Sequence, residues 1–465
     1  MKNRMKQLGL VSIFSFAILP AQAQGSMSGF FTDGFLYRHQ MNPALGNDST
    51  TYISIPVIGN VNARMYGNFG LQDVLFDNPR YPDASNKKKT TFLSPYIENG
   101  LDGFSKGNNR VGADVKVGLL SAGWKGMGGY NTFDVNLRAT ADVKIPYEFL
   151  AFAKDTGNKD YDMGDLDAEA TSYVEIALGH SHQVSDRWKV GGKLKFLFGL
   201  GNARLQMHNM KATLSDNQKW EISGDAVADV SIKGFEYKSK YKQYNSRDEQ
   251  YSYVNDVKVS GYGISGFGMA ADFGAEYKAG DRWNLSAALL DFGFISWSND
   301  IQAKNISNHV TFDGFHDLTV GGDSDNPMDK PADEYADQFM DFAHLTSLGD
   351  QGKRTTMLGA TLNLAASYKA CDWFKAGLLS STRLHGSFSW TEARLSGNFM
   401  PLSWVDGNVN VAVGTFGPSI GWLLNFHPMG FNFFIGMDHV LGKLSKEGIP
   451  LNSNVQLSTG FNIQF

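Results

Sequence analysis

The chain has 465 residues, 51 of them glycine, with 13% aromatic and only 19% charged residues and a net charge of −5. That negative balance, which grows once the basic N-terminus is set aside, excludes a nucleic-acid partner held by a basic patch. A single cysteine, Cys371, excludes an intrachain disulfide framework and a cysteine metal cluster.

At the N-terminus, Lys2, Arg4 and Lys6 precede an apolar stretch over 8–19 and the small-x-small triplet Ala21-Gln22-Ala23. This layout predicts a secretory leader over 1–23 with the mature chain starting at Gln24. The apolar stretch is short of the roughly twenty residues that a spanning helix needs, and no long uncharged apolar run follows it. The exported chain is then secreted, periplasmic or an outer-membrane barrel.

Two-residue alternation favours the barrel. Phe133, Val135, Leu137, Ala139, Ala141, Val143 and Ile145 share one face, and Asp134, Asn136, Arg138, Thr140, Asp142 and Lys144 the other. A run of that length exceeds an ordinary strand of about five or six residues and suits a tilted strand between lipid and a polar lumen. Alternation recurs over 111–119, 358–368 and 408–413. The last strand carries Val455, Leu457, Phe461, Ile463 and Phe465 on one face. Its terminal aromatic resembles the C-terminal signal read by the barrel assembly machinery, with Phe461, Ile463 and Phe465 as the residues that carry it.

Short connections alternate with long ones, as in outer-membrane barrels. The pattern predicts an all-β, transmembrane antiparallel β-barrel over 51–465 with fourteen strands and both ends periplasmic. A long bent first strand covers 51–70. Long outer connections lie near 71–108, 204–261 and 298–353, with others near 146–169 and 441–451. A hairpin around Ser215-Asp216-Asn217, within 204–232, reads as projecting above the membrane; placed in the wall, it makes the count sixteen.

Ahead of the first strand stand Arg38-His39-Gln40-Met41-Asn42-Pro43-Ala44, and soon after them Ser54-Ile55-Pro56-Val57-Ile58-Gly59-Asn60. The Asn-Pro-Ala triplet resembles the long-chain fatty-acid transporter (FadL-like) superfamily. The longer Arg-His-x-x-Asn-Pro-Ala context is closer still to an uncharacterised family of FadL-related outer-membrane proteins of Bacteroidota. The resemblance implies a fourteen-stranded barrel in the outer membrane, with residues 24–50 folded into the lumen as a plug. Asn tolerates tight turns, and Pro fixes φ and removes a donor where no ladder partner exists. Arg38 and His39 are expected to bond to inward carboxylates such as Asp114, Asp134 or Asp142.

The segment 298–353 holds eleven acidic residues, ten Asp and Glu334. Within it, 331–348 reads as a short amphipathic helix that opens on Pro331 and carries Tyr335, Phe339, Met340 and Phe342. Those four form a candidate ligand-docking surface, or a helix that packs over the barrel mouth. Asp323, Asp325, Asn326 and Asp329 lack the later bidentate Glu of an EF-hand and read as a solvated loop. His180 and His182 face one way on a strand without an assignable third ligand. No nucleophile elbow or phosphate loop occurs, so neither an enzyme nor a cofactor is implied. The resemblance implies passive transport of small hydrophobic or amphiphilic molecules; the alternative is a non-transporting scaffold or partner-binding barrel associated with a secretion or surface protein complex. An open porin fits the plug poorly.

Overall fold

Burial follows the alternation. Asp134, Asn136 and Arg138 are enclosed, whereas on other strands Leu178, Leu194, Leu395 and Val411 stand exposed on the outer surface. In a bilayer every backbone N–H and C=O must pair within the protein, so a sheet of such strands is stable only when closed. A computed structural model describes residues 26–47, 50–81, 89–155, 157–215, 219–314, 329–440 and 454–465, with the backbone alone at 329–332. The leader expected over 1–23 and the connection near 441–451 lie outside the described residues, as do Asp216, Asn217, Asp323, Asp325 and Asn326.

The strands in chain order are β1 (Tyr52–Ser54), β2 (Val61–Gly67), β3 (Leu75–Asp77), β4 (Lys89–Thr91), β5 (Asn108–Gly126), β6 (Gly129–Pro146), β7 (Tyr161–Gln183) and β8 (Trp188–Thr213). Next come β9 (Trp220–Ile232), β10 (Phe235–Gln243), β11 (Gln250–Val259), β12 (Gly266–Ala279), β13 (Trp283–Trp297), β14 (Ile301–Asn305), β15 (His309–Phe312) and β16 (Leu345–Asp350). The last eight are β17 (Arg354–Met357), β18 (Ala360–Cys371), β19 (Phe374–Leu384), β20 (Trp390–Leu402), β21 (Val405–Gly414), β22 (Gly417–Phe426), β23 (Phe431–His439) and β24 (Val455–Gln464). The wall is a closed antiparallel barrel of 14 strands. It runs β1 with β2, β5, β6, β7, β8, β12, β13, β17 with β18, then β19 to β24, and β24 pairs back onto β1 and β2. No helix among the described residues is long and apolar enough to cross a membrane.

Aromatic pairs mark the edges of the lipid-facing band. Trp188 meets Tyr277 and Trp283 meets Tyr368 at the short-turn end, and Phe198 meets Phe267 at the other. From Trp188 to Phe198, about ten residues at about 3.3 Å each and a tilt of about 40° give about 25 Å, the height of an outer-membrane apolar band.

Three features depart from an even wall. The expected single first strand is two pieces, because Pro56 lacks a ladder donor and the chain loops out at 55–60, with Val57 at φ +70°. In β13 a bulge places Asp291 at φ +58°. At that height the β13 register passes from Thr361 on β18 to Met357 on β17, and between them the two strands are joined by the Leu358 amide on the Gly293 carbonyl (2.9 Å). Above the band, β8 continues to pair with β9, which in turn pairs with β14 and β15. The 204–232 region therefore stands above the wall. β12 occupies the wall position beneath β9, and the hairpin β10–β11 is a separate small sheet. Phe69, Phe92, Phe104, Ile145 and Leu150 pack together at the outer mouth.

Candidate functional site

Residues 26–47 occupy the lumen, and most of them are buried. Their aromatic and aliphatic side chains, including Phe30, Phe35, Leu36, Tyr37 and Met41, pack against Leu379, Leu423 and Phe434 of the wall. The segment begins beside Asp438, whose carboxylate accepts from the Met27 and Ser28 amides (2.8 and 2.7 Å) and the Ser28 hydroxyl (2.6 Å). It then descends to the mouth on the short-turn side, where the Gly34 amide donates to Asp406 (2.7 Å) and Lys375 donates to Asp33 (2.6 Å). A cavity of about 230 Å³ lies there between Phe31–Asp33 and the wall side chains Trp373, Phe374 and Phe399. The chain turns back inward through a 3-10 turn, Leu36–Gln40, and leaves past Gly46, whose carbonyl accepts from Lys189 (3.1 Å).

The Asn-Pro-Ala triplet rests on two glycines. The Asn42 side-chain oxygen accepts from the Ala44 amide (2.9 Å), closing a local turn, and its amide nitrogen donates to the Ala275 carbonyl (3.3 Å). Pro43 lies against Gly191 of β8 and Gly274 of β12, which are register partners in one ladder. A methyl group on either would overlap the triplet.

Above the apolar part of the plug lies a layer of paired charge. Lys193 donates to His39 Nδ1 (2.7 Å) and to Asp134 (2.9 Å). An ammonium can only donate, so His39 Nδ1 is the acceptor and the neutral ring offers its Nε2–H to the Tyr52 hydroxyl (2.9 Å). Gln40 bridges Lys116 (2.7 Å) and Asp134 (3.2 Å). Lys195 contacts Asp291 (2.6 Å) and Asp272 (2.7 Å). A cavity among these groups measures about 20 Å³, room for one water.

Strands that are not neighbours in the wall also touch within the lumen. Arg138 of β6 reaches Asp291 of β13 with three hydrogen bonds of 3.0–3.2 Å. Arg64 of β2 lies over the Trp390 ring of β20, 4.6 Å from its centre. The Arg110 guanidinium of β5 donates to the Ser389 carbonyl (2.8 Å), and the Ser387 hydroxyl to Asp167 of β7 (2.6 Å). Buried ions are tolerated only where partners and hydrogen bonds offset several kcal/mol of lost hydration each, so these contacts hold only while the lumen stays filled.

The residues singled out from the sequence fall as follows. Arg38 does not meet the inward carboxylates; it bonds to Asp33 (2.9 Å) and the Phe30 carbonyl (3.0 Å) within the plug. His39 lies 3.7 Å from Asp134, with Lys193 between them in charge, while Asp142 accepts from Tyr66 (2.6 Å). Phe461 stacks on Phe431, and Ile463 and Phe465 are exposed on the outer surface. The helix is Asp329–Ala343. Tyr335 packs on Phe312 and donates to the Gly314 carbonyl, and Phe342 joins a cluster with Tyr161 and Met210. Met340 is partly covered, and Phe339 is exposed. His180 and His182 stack at the short-turn end, and no metal-ligand group of three occurs among the described residues. Lys193, Lys195, Asp272, Asp291 and Asp438 escaped notice in the sequence. Their signal was a charge at an inward parity position, which does not say which partner crosses the lumen.

A family model described as a family of unknown function (DUF5723) matches residues 43–438. No curated protein matches the chain. Among solved structures, the Ralstonia pickettii toluene transporter TbuX is similar at a TM-score of 0.42 and 7% identity, covering 95% of this chain and 98% of that one. The Pseudomonas putida toluene transporter TodX gives 0.39 and 8%, covering 91% and 92%. A FadL homologue of Pseudomonas aeruginosa gives 0.40 and 10%, covering 95% and 97%. At these values the likeness carries no functional argument.

Proposed function

The chain belongs to the DUF5723 family of unknown function, and from its interior we propose a closed, non-conducting barrel of the Gram-negative outer membrane that acts through its outer face as a platform for a partner protein. The observation that carries this reading is contact inside the lumen between strands that are not neighbours in the wall, Arg138 of β6 to Asp291 of β13 and Arg64 of β2 to Trp390 of β20, above a plug seated by Asp438, Asp406 and Lys193. A solute crossing the lumen would have to part buried ion pairs. The leader at 1–23 accounts for export, and Phe461, Ile463 and Phe465 are the residues offered to the assembly machinery. The resemblance of 38–44 to FadL-related proteins of Bacteroidota supports the same location. The sheet of β8, β9, β14 and β16, with the helix Asp329–Ala343 and its exposed Phe339, supplies the platform. The test is planar-bilayer conductance of the purified mature barrel together with a photo-crosslinker at Phe339 on intact cells. Electrical silence and one stoichiometric protein adduct support the proposal; a steady open conductance removes it.

A second reading, gated passage of a small hydrophobic or amphiphilic molecule, has one observation in its favour. Tyr173, Leu197, Ile295 and Trp297 form an apolar cluster with Leu358, beside the register change between β13 and β17–β18. Mass spectrometry of a barrel purified in mild detergent separates the two. A stoichiometric amphiphile moves the assignment to transport, and its absence leaves the platform.

A further inference from the structure

β9 ends above the wall at Ile232 and β12 begins within it at Gly266, so the chain between them joins the wall at the outer edge of the apolar band. The level is set by one bond: the Ser265 amide donates to the Gly199 carbonyl (2.7 Å), one residue beyond the outer-rim Phe198. From that root rises the hairpin β10–β11, whose turn docks far above on the helix Asp329–Ala343.

One face of this hairpin changes character with height. At the root, Phe235 pairs with Val259 and Tyr237 with Val257; near the turn, Tyr241 pairs with Ser252 and Gln243 with Gln250. Val257 and Val259 are 53% and 41% exposed to the surroundings, and the following Tyr262 and Ile264 are 91% and 58% exposed. Directly below, Phe267 of the lipid-facing band is also exposed. An apolar patch at a water-facing position would be an aggregation liability. Here it is continuous with a surface that lipid already covers. The Lys233 side chain lies against Gly263, is exposed, and has no carboxylate within ion-pair distance among the described residues. Aromatic rings at headgroup level and lysines that reach to phosphate are the usual anchors of a membrane interface.

We propose that the hairpin root is an interfacial foot: Val257, Val259, Tyr262 and Ile264 enter the outer leaflet, and the Lys233 ammonium binds a lipid phosphate. The foot depends on the barrel's spanning a membrane and is independent of what the platform binds. It would fix the height and tilt of the hairpin, and through it the helix above.

Spin labels test this in the full barrel, after Cys371→Ser removes the native thiol. Labels at Ile264→Cys, Phe267→Cys and Tyr241→Cys are compared in phosphatidylcholine vesicles with and without phosphatidylglycerol, by relaxation with oxygen and with a water-soluble nickel chelate. The foot predicts an oxygen-to-nickel ratio at 264 close to that at 267 and several-fold above that at 241. Phosphatidylglycerol raises the ratio at 264 further, and Lys233→Gln abolishes the rise. A label at 264 that behaves like the one at 241 overturns the foot. So does one shielded from both reagents, which would mean protein covers it, and so does indifference to Lys233→Gln. If 267 is itself nickel-accessible, the membrane assignment fails instead, a distinct result.

Discussion

Arg138 of β6 and Asp291 of β13 bind each other inside the lumen, past the three strands that separate them in the wall, and Asp291 adopts a left-handed backbone conformation at the contact. For a non-glycine residue that conformation is uncommon and costs about 1–3 kcal/mol, and here it turns the carboxylate onto both Arg138 and Lys195. The same bulge draws the Asp291 amide onto the Asp272 carboxylate (2.7 Å). Arg138 also pairs with Glu175 of β7 (3.0 Å), so removing it leaves Asp291 and Glu175 to share one buried cation, Lys195 (2.6 and 3.8 Å). Arg138→Ala is expected to lower stability by about 3–5 kcal/mol, the usual result of breaking a buried pair from one side. The thermal midpoint of the heat-modifiable band on gels measures it. Arg138→Met combined with Asp291→Leu, which removes both charges, should lose less.

The plug is anchored from its innermost end. Asp438 collects two amides and a hydroxyl from Met27 and Ser28, bonds of a charged acceptor that contribute roughly 1.5–3 kcal/mol in a buried setting. Asp438→Asn keeps the size of the side chain but replaces one acceptor oxygen with a donor facing those donors. The expected outcome is an intact wall with a loosened plug: unchanged heat-modifiability, and cleavage within 26–47 by thermolysin added from the periplasmic side. A plug equally protected in both proteins would place its stability in the Phe30–Phe434 cluster instead.

The wall was legible from parity alone, because lipid and lumen impose opposite demands on alternate residues, as with Phe133 to Ile145. The plug was legible only through the Asn-Pro-Ala resemblance. What parity cannot carry is contact between strands far apart in sequence, so Arg138 was visible as an inward charge but its partner Asp291 was not. A bulge shifts parity by one residue and leaves no mark in composition. Arg38 illustrates the converse: its charge suggested a wall partner, yet the turn at Phe30–Asp33 places a carboxylate and a carbonyl nearer to hand. The hairpin β10–β11 lies inside the single long connection expected over 204–261, since mixed lysine and tyrosine on a two-stranded ribbon follows no single burial pattern.

Gly191 and Gly274 face each other across the β8–β12 ladder and leave the space that Asn42 and Pro43 fill. A strand glycine of this kind marks close approach of another backbone. Gly191→Ala or Gly274→Ala puts a methyl into the Asn42–Ala44 turn, with overpacking of about 1–3 kcal/mol, while the wall ladder itself tolerates alanine. Each variant is expected to fold and insert normally and to show intermittent single-channel openings that the parent lacks. Alanine at Gly280, in a wall turn where an added methyl would meet open space, gives a control with φ +77° strain but no plug contact; openings there too would detach the effect from the plug.

The outer hairpin and helix are joined through Asp337, and the join has a predictable acid limit. Burial alone would raise this carboxyl, but it accepts from the Ser246 amide (2.7 Å) and hydroxyl (2.8 Å) and the Asn245 amide (3.0 Å) and side chain (2.9 Å). Together these hold it below its ordinary value of 3.8. A carboxyl lowered by docking stabilises the docked state above its free value, and that contribution is lost as pH falls through the docked value. The hairpin should therefore stay on the helix from neutrality down to about pH 4 and detach only in stronger acid. Spin labels at Lys242→Cys and Glu334→Cys, in the Cys371→Ser background, report the distance. Asp337→Asn should show the longer, broader distribution already at neutral pH. A distance in the parent that lengthens near neutrality would assign the join to another titrating group, with His344, stacked on Tyr253, the first to replace.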